Sequence, residues 1–521
     1  MRGMLHEELL PLLPSSFFAD PVDTLRGMGA EVIKESRGRW AGMVSLSPGR
    51  RLFLKRDRTK GGIESVRYLF VPSKGRKEWL MAERMKGRGV CIPEALGWME
   101  RSRAGVVAES YYLSEGIGSG VSLVDTPALS RTDLVLDALA STVRRIHDAG
   151  LFHGDFHAGN FVWDGNALYL LDLHRARIVG RLSADQREVN LAQLFHSLRF
   201  IWGLEEQEGF LRRYLGGSLP DPSSLERIRG RMDQLQKAQW QSRTRRCLKE
   251  STEYSQRREK GTRYAFRRDF SLDRLKRVVE AHKTLVREKP SVLIKNAPKV
   301  IVSLFGDEKI CVKQFLYPQP LGRIKDFFRH SRGRRGWIAG QGLDVRGIPS
   351  VKTLGLVEEG GWLGRRASYL VMERVGSGQE LDRFILKGFA ALAEKRDFIR
   401  QFGRWLSELH RREIYHRDLK TCNLVAFGKR GDWHVVLLDL EDVRFDAPVD
   451  EEKVFRNLLQ LNTSAPREVT RTDRLRFFRE YLKATPLVVN ERPFLRRLMD
   501  ESRKRGLVYV SPQGVVTESL S

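Results

Sequence analysis

Cysteine is scarce in this chain and is not arranged for chemistry. There are four in 521 residues, Cys91, Cys247, Cys311 and Cys422, with no Cys-x-x-Cys pair. That excludes a disulfide framework and the usual zinc sites, and fits buried thiols in a reducing compartment. Long apolar runs are missing as well. No segment of the sequence approaches the roughly 18–20 apolar residues of a membrane-spanning helix. The short apolar stretch in MRGMLHEELLPLLPSSFF is broken by two Glu and by prolines, a poor match to a secretion signal. Acidic charge is in deficit: 65 Asp and Glu face 92 Lys and Arg, a formal net charge of +27. Such an excess predicts attraction to a polyanion, whether nucleic acid, an anionic membrane surface or a phosphorylated glycolipid. Zinc-finger spacings and aromatic-rich RNA-binding patterns are absent, so nucleic acid is the disfavoured partner. Residues 243–277 hold thirteen Lys and Arg against five Asp and Glu, and read as a solvated helical linker.

What the chain does have, it has twice. Residues 151–173 read LFHGDFHAGNFVWDGNALYLLDL, and residues 414–440 read IYHRDLKTCNLVAFGKRGDWHVVLLDL. Each copy is a His-x-Asp loop, an Asn five residues after the Asp, a short hairpin, and an Asp closing an apolar strand. The register extends upstream. Lys55 matches Lys313, Trp79 matches Trp337, and SYYLSEGIGSG (110–120) matches SYLVMERVGSG (368–378), all at an offset of 258 residues. At the loops the offset is 263, and after the hairpin it is 267. The second step falls in a hairpin turn, tight at Asp164-Gly165-Asn166 and longer at Gly428–Asp432, where added length is tolerated. A repeat of this length means tandem domains, not a solenoid. The expected division is a first domain at 1–235, a basic helical linker that begins the second domain at 236–290, and the remainder of the second domain at 291–521. Each is large enough to bury its own core.

The repeated residues are those of phosphoryl transfer from a metal–nucleotide complex. Asp155 and Asp418 can accept or orient the proton of an attacking hydroxyl. Asn160 and Asn423 offer neutral oxygens to Mg²⁺, and Asp172 and Asp439 offer carboxylates, the hard ligands that ion prefers. His153 and His416 read as braces of the loop. His147 and His410, six residues earlier, read as buried structural imidazoles. Lys55 and Lys313 sit on the second strand of a predicted hairpin, where an ammonium can reach the α- and β-phosphates of ATP. The helical pattern at 76–97 places Glu78 to hold Lys55, with Glu83 as the rival. At the matched position the second copy has Gly336, so Lys313 is expected to lack that partner. The glycines Gly118, Gly120, Gly376 and Gly378 lack the βαβ setting of a dinucleotide loop; they read as links between two lobes.

These residues resemble the protein-kinase-like superfamily over nearly the whole chain. Gly154 stands where a phosphate-binding Arg would be. Asp172 is followed by Leu-His and Asp439 by Leu-Glu, not Phe-Gly, and no Ala-Pro-Glu follows. There is little room for a peptide platform, and no glycine-rich phosphate loop. The second copy (IYHRDLKTCNL, LLDLEDVRF, RRGW-x8-RGIPS) looks like the bacterial lipopolysaccharide core kinase family. The first (HGDFHAGN) is closer to the aminoglycoside and choline phosphotransferase branch. The resemblance implies an α+β fold of two tandem bilobal domains, each with a small β-rich lobe and a helical lobe. It implies ATP and Mg²⁺ as cofactors. It implies phosphorylation of a heptose or Kdo hydroxyl of the lipopolysaccharide core, or of another phosphorylated glycolipid, by a cytoplasmic protein peripheral to the inner face of the cytoplasmic membrane. The alternatives are a kinase for another small molecule or a protein, and one active domain paired with a regulatory pseudokinase. The tail after 505 suggests no role.

Overall fold

The computed structural model describes every residue except 60, 62, 119, 318–329, 362–363, 377, 446, 485–486 and 521. The chain divides into two compact units, Met1–Gln236 and Lys237–Ser521. Each mixes helix and sheet, with a sheet-based lobe followed by a helical one.

In the first unit six strands form an antiparallel sheet: β1 (Arg2–Leu5), β2 (Glu31–Ser36), β3 (Arg39–Ser47), β4 (Arg50–Arg58), β5 (Ala95–Arg103) and β6 (Val106–Glu115), in the order β1-β5-β6-β4-β3-β2. Lys55 lies on β4, paired with Tyr112 of β6 and Ala41 of β3. Helix α1 (Lys74–Met85) is capped by Ser73, whose hydroxyl accepts from the Arg76 amide. It starts so close to β6 that a Cβ at Gly75 would lie 2.4 Å from the Tyr111 carbonyl oxygen, which only glycine permits. An N-terminal segment covers the other face, burying Leu9, Phe17, Val22 and Leu25 with Trp40 and Leu52.

The helical lobe begins at α2 (Asp133–Asp148) and includes α3 (Ala184–Leu198) and α4 (Leu204–Tyr214). Between α2 and α3 run four short strands: β8 (Leu151–His153), β9 (Phe161–Trp163), β10 (Leu168–Leu170) and β11 (Ala176–Ile178). β9 pairs with β10 and with β7 (Val121–Ser122), and β8 pairs with β11. These pairings bring the His-x-Asp loop and the strand end at Asp172 together. His147 is buried as expected, its Nδ1 2.8 Å from the Tyr214 hydroxyl. Helix α5 (Pro222–Thr244) contains the boundary between the units.

The second unit repeats this plan on a larger sheet. β12 (Tyr254–Glu259) and β13 (Thr262–Arg267) precede α6 (Leu272–Glu288), then β14 (Lys295–Ala297), β15 (Val300–Phe305), β16 (Ile310–Leu316), α7 (Arg332–Val345), β17 (Thr353–Gly361) and β18 (Gly364–Glu373). The order is β12-β13-β17-β18-β16-β15-β14. The segment read as a basic helical linker is therefore helical only at its ends. Its middle is a hairpin that extends this sheet, with Ala265 opposite Leu356. The cause is a two-residue turn, Lys260 at φ 43° and Gly261 at φ 83°, between strands that bury Tyr254, Ala265 and Phe266 and turn their arginines to solvent. Helix α6 covers the face that the N-terminal segment covers in the first unit, burying Leu275, Val278 and Val279. Helix α7 is again Ser-capped, by Ser331, and again starts on a glycine, Gly333, tight against Ser368.

Next come α8 (Leu392–Arg411), β20 (Tyr415–His416), β21 (Leu424–Lys429), β22 (Asp432–Leu437), β23 (Val443–Arg444), α9 (Glu451–Ser464), α10 (Arg471–Ala484) and α11 (Glu491–Arg505), with β19 (Gln379–Glu380) pairing with β21 ahead of them. His410 is buried against the Tyr481 hydroxyl at 2.8 Å and the Asn457 carbonyl oxygen at 3.1 Å. The C-terminal tail is a hairpin, β24 (Leu507–Ser511) with β25 (Gly514–Glu518). The Val510 amide donates to Asp382 at 2.9 Å.

Candidate active sites

In the first unit β4 delivers Lys55, α1 delivers Glu78, and the end of β10 delivers Asp172. The Lys55 Nζ lies 2.9 Å from Glu78 Oε2 and 2.5 Å from Asp172 Oδ1. Glu83, the rival, pairs instead with Lys86 at 2.8 Å. Asp172 also contacts the His174 Nδ1. Burial works against charge on Lys55, but Glu78 and Asp172 outweigh it and hold the ammonium above its ordinary value. Burial likewise opposes the Asp172 carboxylate, yet His174 and Lys55 drive it far below the usual range. The cluster is a buried ion network with Lys55 at its centre. Glu78, Asp172 and His174 form, among the described residues, the one tight group of three metal-type ligands, and here the ammonium already sits between the two carboxylates.

Lys313 in the second unit has the same environment from a different source. Its Nζ is 2.7 Å from Asp439 Oδ1 and 2.9 Å from Glu441 Oε1. Lys313 does lack the helix glutamate, as expected from Gly336, but it is not left without a second carboxylate. Glu441, two residues past the metal-type Asp, replaces the helix Glu, and its side chain is only 2% exposed. Gly336 leaves room for this. A Cβ there would lie 2.7 Å from Leu370 Cδ2 and 3.7 Å from the Glu441 amide nitrogen. Arg332 adds a second cation, 3.3 Å from Glu441 Oε1. Burial opposes the Lys313 charge, and Glu441 and Asp439 raise it above its ordinary value.

The loops share the hydrogen bonds made by their Asn residues. The Asn160 side-chain amide donates to the Asp155 carbonyl at 2.9 Å, and Asn423 to the Asp418 carbonyl at 2.8 Å. With that nitrogen committed, the amide oxygen is the atom left for a cation. The Asn160 and Asn423 carbonyls accept from Leu171 and Leu438 at 2.8 and 2.9 Å, which ties each Asn to the residue before its metal-type Asp. Asp172 and Asp439 both take positive φ, 61° and 28°, a strained backbone of the kind that functional sites retain. The donor set, one amide oxygen and one carboxylate per unit, suits Mg²⁺. His153 accepts the Asp155 amide on Nδ1 at 3.2 Å and so donates from Nε2 to the Asp172 carbonyl at 3.0 Å. It bridges loop and strand end.

Each loop Asp also has a cation beside it. Arg175 donates to Asp155 at 3.2 Å, and Lys420 lies 2.9 Å from Asp418. Sequence reasoning passed over both. Lys420 was the legible one, since it stands inside the loop. In the first unit a cavity of about 540 Å³ lies between the β3–β4 turn (Pro48, Gly49) and the connector at Gly116 and Gly118.

The chain is similar to several known proteins. A family model described as the lipopolysaccharide kinase (Kdo/WaaP) family matches residues 23–214 and 324–481, one segment in each unit. Protein kinase kin1 of Schizosaccharomyces pombe is 39% identical over 75 residues, 14% of this chain and 8% of kin1. Calcium/calmodulin-dependent protein kinase type 1 of Caenorhabditis briggsae is 35% identical over 71 residues, 14% of this chain and 20% of that protein. The chain thus spans at most a fifth of the length of these curated relatives. A solved structure described as WaaP in complex with acyl carrier protein is 22% identical with a TM-score of 0.34, over 45% of this chain and 99% of that one.

Proposed function

The chain belongs to the lipopolysaccharide kinase (Kdo/WaaP) family, and from that premise we propose that it is a kinase that transfers the γ-phosphoryl group of ATP to a sugar hydroxyl of the lipopolysaccharide inner core at the cytoplasmic membrane face. The observation that carries the reading is the buried Lys–carboxylate–Asp cluster, built once in each unit, beside a loop that offers an Asp and an Asn.

Lys55 and Lys313 present a fixed ammonium to the α- and β-phosphates. Each would keep one carboxylate, Glu78 or Glu441, with Asp172 or Asp439 left to hold the ion. Mg²⁺, held by Asn160 and Asp172 or by Asn423 and Asp439, would neutralise charge on the β- and γ-oxygens. Asp155 and Asp418 orient the acceptor hydroxyl and take its proton as the new O–P bond forms and the bond from the γ-phosphorus to the bridging oxygen breaks, releasing ADP. Arg175 and Lys420 put positive charge where negative charge accumulates on the transferring group. The turn Pro48-Gly49 and the connector at Gly116 and Gly118 border the space offered to the nucleotide in the first unit. The formal charge of +27 supports an anionic acceptor on an anionic surface. Among the described residues no helix is long and apolar enough to cross a membrane.

The test is transfer of labelled γ-phosphate from Mg-ATP to dephosphorylated lipopolysaccharide core, with wild type beside Asp155→Ala and Asp418→Ala. Loss in one variant alone assigns the working unit and makes the other a regulator. Partial loss in each means two working sites. A wild type that binds ATP but transfers nothing to this acceptor overturns the reading.

A further inference from the structure

One large cavity is not used by the chemistry above. It measures about 1060 Å³ and lies on the helical lobe of the second unit, lined in part by Arg417, Arg444, Lys453, Arg456, Arg497 and Arg505. Among its described lining residues two are acidic, Glu452 and Glu501, and both are engaged. Glu452 is 3.0 Å from Arg497 and 3.4 Å from Arg456, and Glu501 is 2.8 Å from Lys504. Lys453 is answered from outside the cavity wall by Asp450 at 3.2 Å. Among the described residues the guanidinium groups of Arg417 and Arg505 have no ion-pair partner. Arg444 spends one nitrogen on the carbonyls of Glu441 and Val443. Its guanidinium is held below its ordinary value by burial and by the cations Arg417 and Arg335, against the opposing pull of Asp442 and Glu441. Among the described lining residues, cations outnumber carboxylates six to two.

Its position is specific. Tyr415 and Arg417 flank the loop His, and Arg417 immediately precedes Asp418. The Arg417 backbone is pinned on both sides: its amide donates to the Asp442 carbonyl at 3.0 Å, and its carbonyl accepts from Gln460 at 2.6 Å. The first unit has no such device, because Gly154 occupies the matched place and Arg177 lies over the Phe152 ring at 4.7 Å. A cavity of this volume admits a sugar together with its substituent. Clustered guanidinium forks are the side chains that bind phosphate best. Lys313, the cation assigned to the nucleotide phosphates, is not among the residues that line this cavity.

We propose that this cavity binds a phosphate monoester already carried by the acceptor saccharide, and so selects a phosphorylated acceptor for the second unit. The inference rests on the sugar-kinase reading for its acceptor, and on the cavity alone for its anion. Two measurements on the full chain separate them. The first is modification of arginines by phenylglyoxal, read at Arg417 and Arg505 by mass spectrometry. Inorganic phosphate and glucose 6-phosphate should slow modification at both positions several-fold, while glucose and phosphatidylglycerol vesicles should not. Equal modification with and without these phosphates overturns the site whatever the enzyme's activity. Protection by the vesicles instead assigns the cavity to a lipid surface and also overturns it. The second is steady-state transfer to a core oligosaccharide that bears one phosphate, against the same oligosaccharide after phosphatase treatment. Arg505→Gln should raise KM for the phosphorylated acceptor about tenfold or more, leave KM for ATP unchanged, and leave the phosphatase-treated acceptor unaffected. A variant that slows both acceptors equally has only a structural role for Arg505, and that result sinks the proposal.

Discussion

The two units solve one electrostatic problem with opposite parts. In the first, the carboxylate that holds the strand lysine comes from helix α1 as Glu78, and the position two residues past the metal-type Asp is His174. In the second, the helix position is Gly336 and the position past the Asp is Glu441. The cation beside the loop Asp is exchanged in the same way. It comes from the segment after β10 as Arg175 in the first unit, and from within the loop as Lys420 in the second. Both units hold one ammonium between two carboxylates and one cation beside the loop Asp. Which element supplies them is free, because a buried charge is answered by proximity and not by sequence position. A missing residue at a matched position is therefore weak evidence for a dead site.

The largest effect that would break this equivalence comes from the lysines themselves. Lys55→Met leaves Glu78, buried and 2.9 Å away, without its counter-charge. Removing one partner of such a pair costs about 3–5 kcal/mol. Lys313→Met should cost the second unit as much, since Glu441 is equally enclosed. Thermal unfolding of each variant checks the stability, and ATP binding checks the site. A much smaller loss for Lys313→Met would mean that Arg332, 3.3 Å from Glu441, compensates in the second unit more than His174 does in the first.

The comparison is sharpened by exchanging the parts. Glu78→Ala alone should lower phosphoryl transfer by the first unit about a hundredfold, as loss of a positioning group in a reacting site does. Adding His174→Glu, which copies the second unit, should recover most of it, because residue 174 already reaches Asp172. If the double variant is no better than the single one, the equivalence of Glu78 and Glu441 is wrong. Binding of ATP without turnover distinguishes a misplaced lysine from an unfolded lobe.

This exchange also marks the limit of what the sequence made legible. The duplication, the strand lysines, the His-x-Asp loops and the closing aspartates are fixed by short-range spacing, and periodicity exposes spacing. His147 and His410 were readable as structural because each ends an amphipathic helix. Glu441 was not readable. Its role depends on a long-range contact with β16, across more than a hundred residues of chain, and position-by-position comparison with the first copy pointed to Gly336 as a loss. The hairpin at 254–267 was hidden by its own arginines, which a helical linker and a solvent-facing strand edge accommodate equally well. The C-terminal hairpin was missed because two short strands gain their stability from the lobe that they pack on.

Acid should affect the two helical lobes alike, and less than the lysine changes. Burial pushes His147 down to about 3 and His410 down to about 4, against about 6.5 when unfolded. Both are neutral in the folded protein. The unfolded chain takes up the proton first, so the stabilisation is complete above pH 6.5 and is lost as pH falls through the window down to the folded values. Each histidine contributes a slope of about 1.4 kcal/mol per pH unit in that window. Thermal unfolding followed from pH 7 to pH 4 should fall for both units. A flat profile would mean that the imidazoles are solvated.

The smallest effects concern the cations beside the loop aspartates. The Arg175 side chain is 57% exposed and that of Lys420 is 48% exposed, and ion pairs this open to water contribute about 0–1 kcal/mol to stability. Arg175→Ala and Lys420→Ala should therefore unfold at nearly the wild-type temperature. Transfer is the discriminating readout. A cation that only neutralises the ground-state carboxylate can be removed with little change in kcat, whereas one that meets charge developing on the transferring group lowers kcat and leaves KM for the acceptor in place. Lys420 comes from inside the loop and is raised above its ordinary value first of all by its bond to Asp418, so the drop in kcat should be larger for Lys420→Ala than for Arg175→Ala. Equal drops would mean that the two elements supply the same charge to the same atom, and that the exchange between the units is complete.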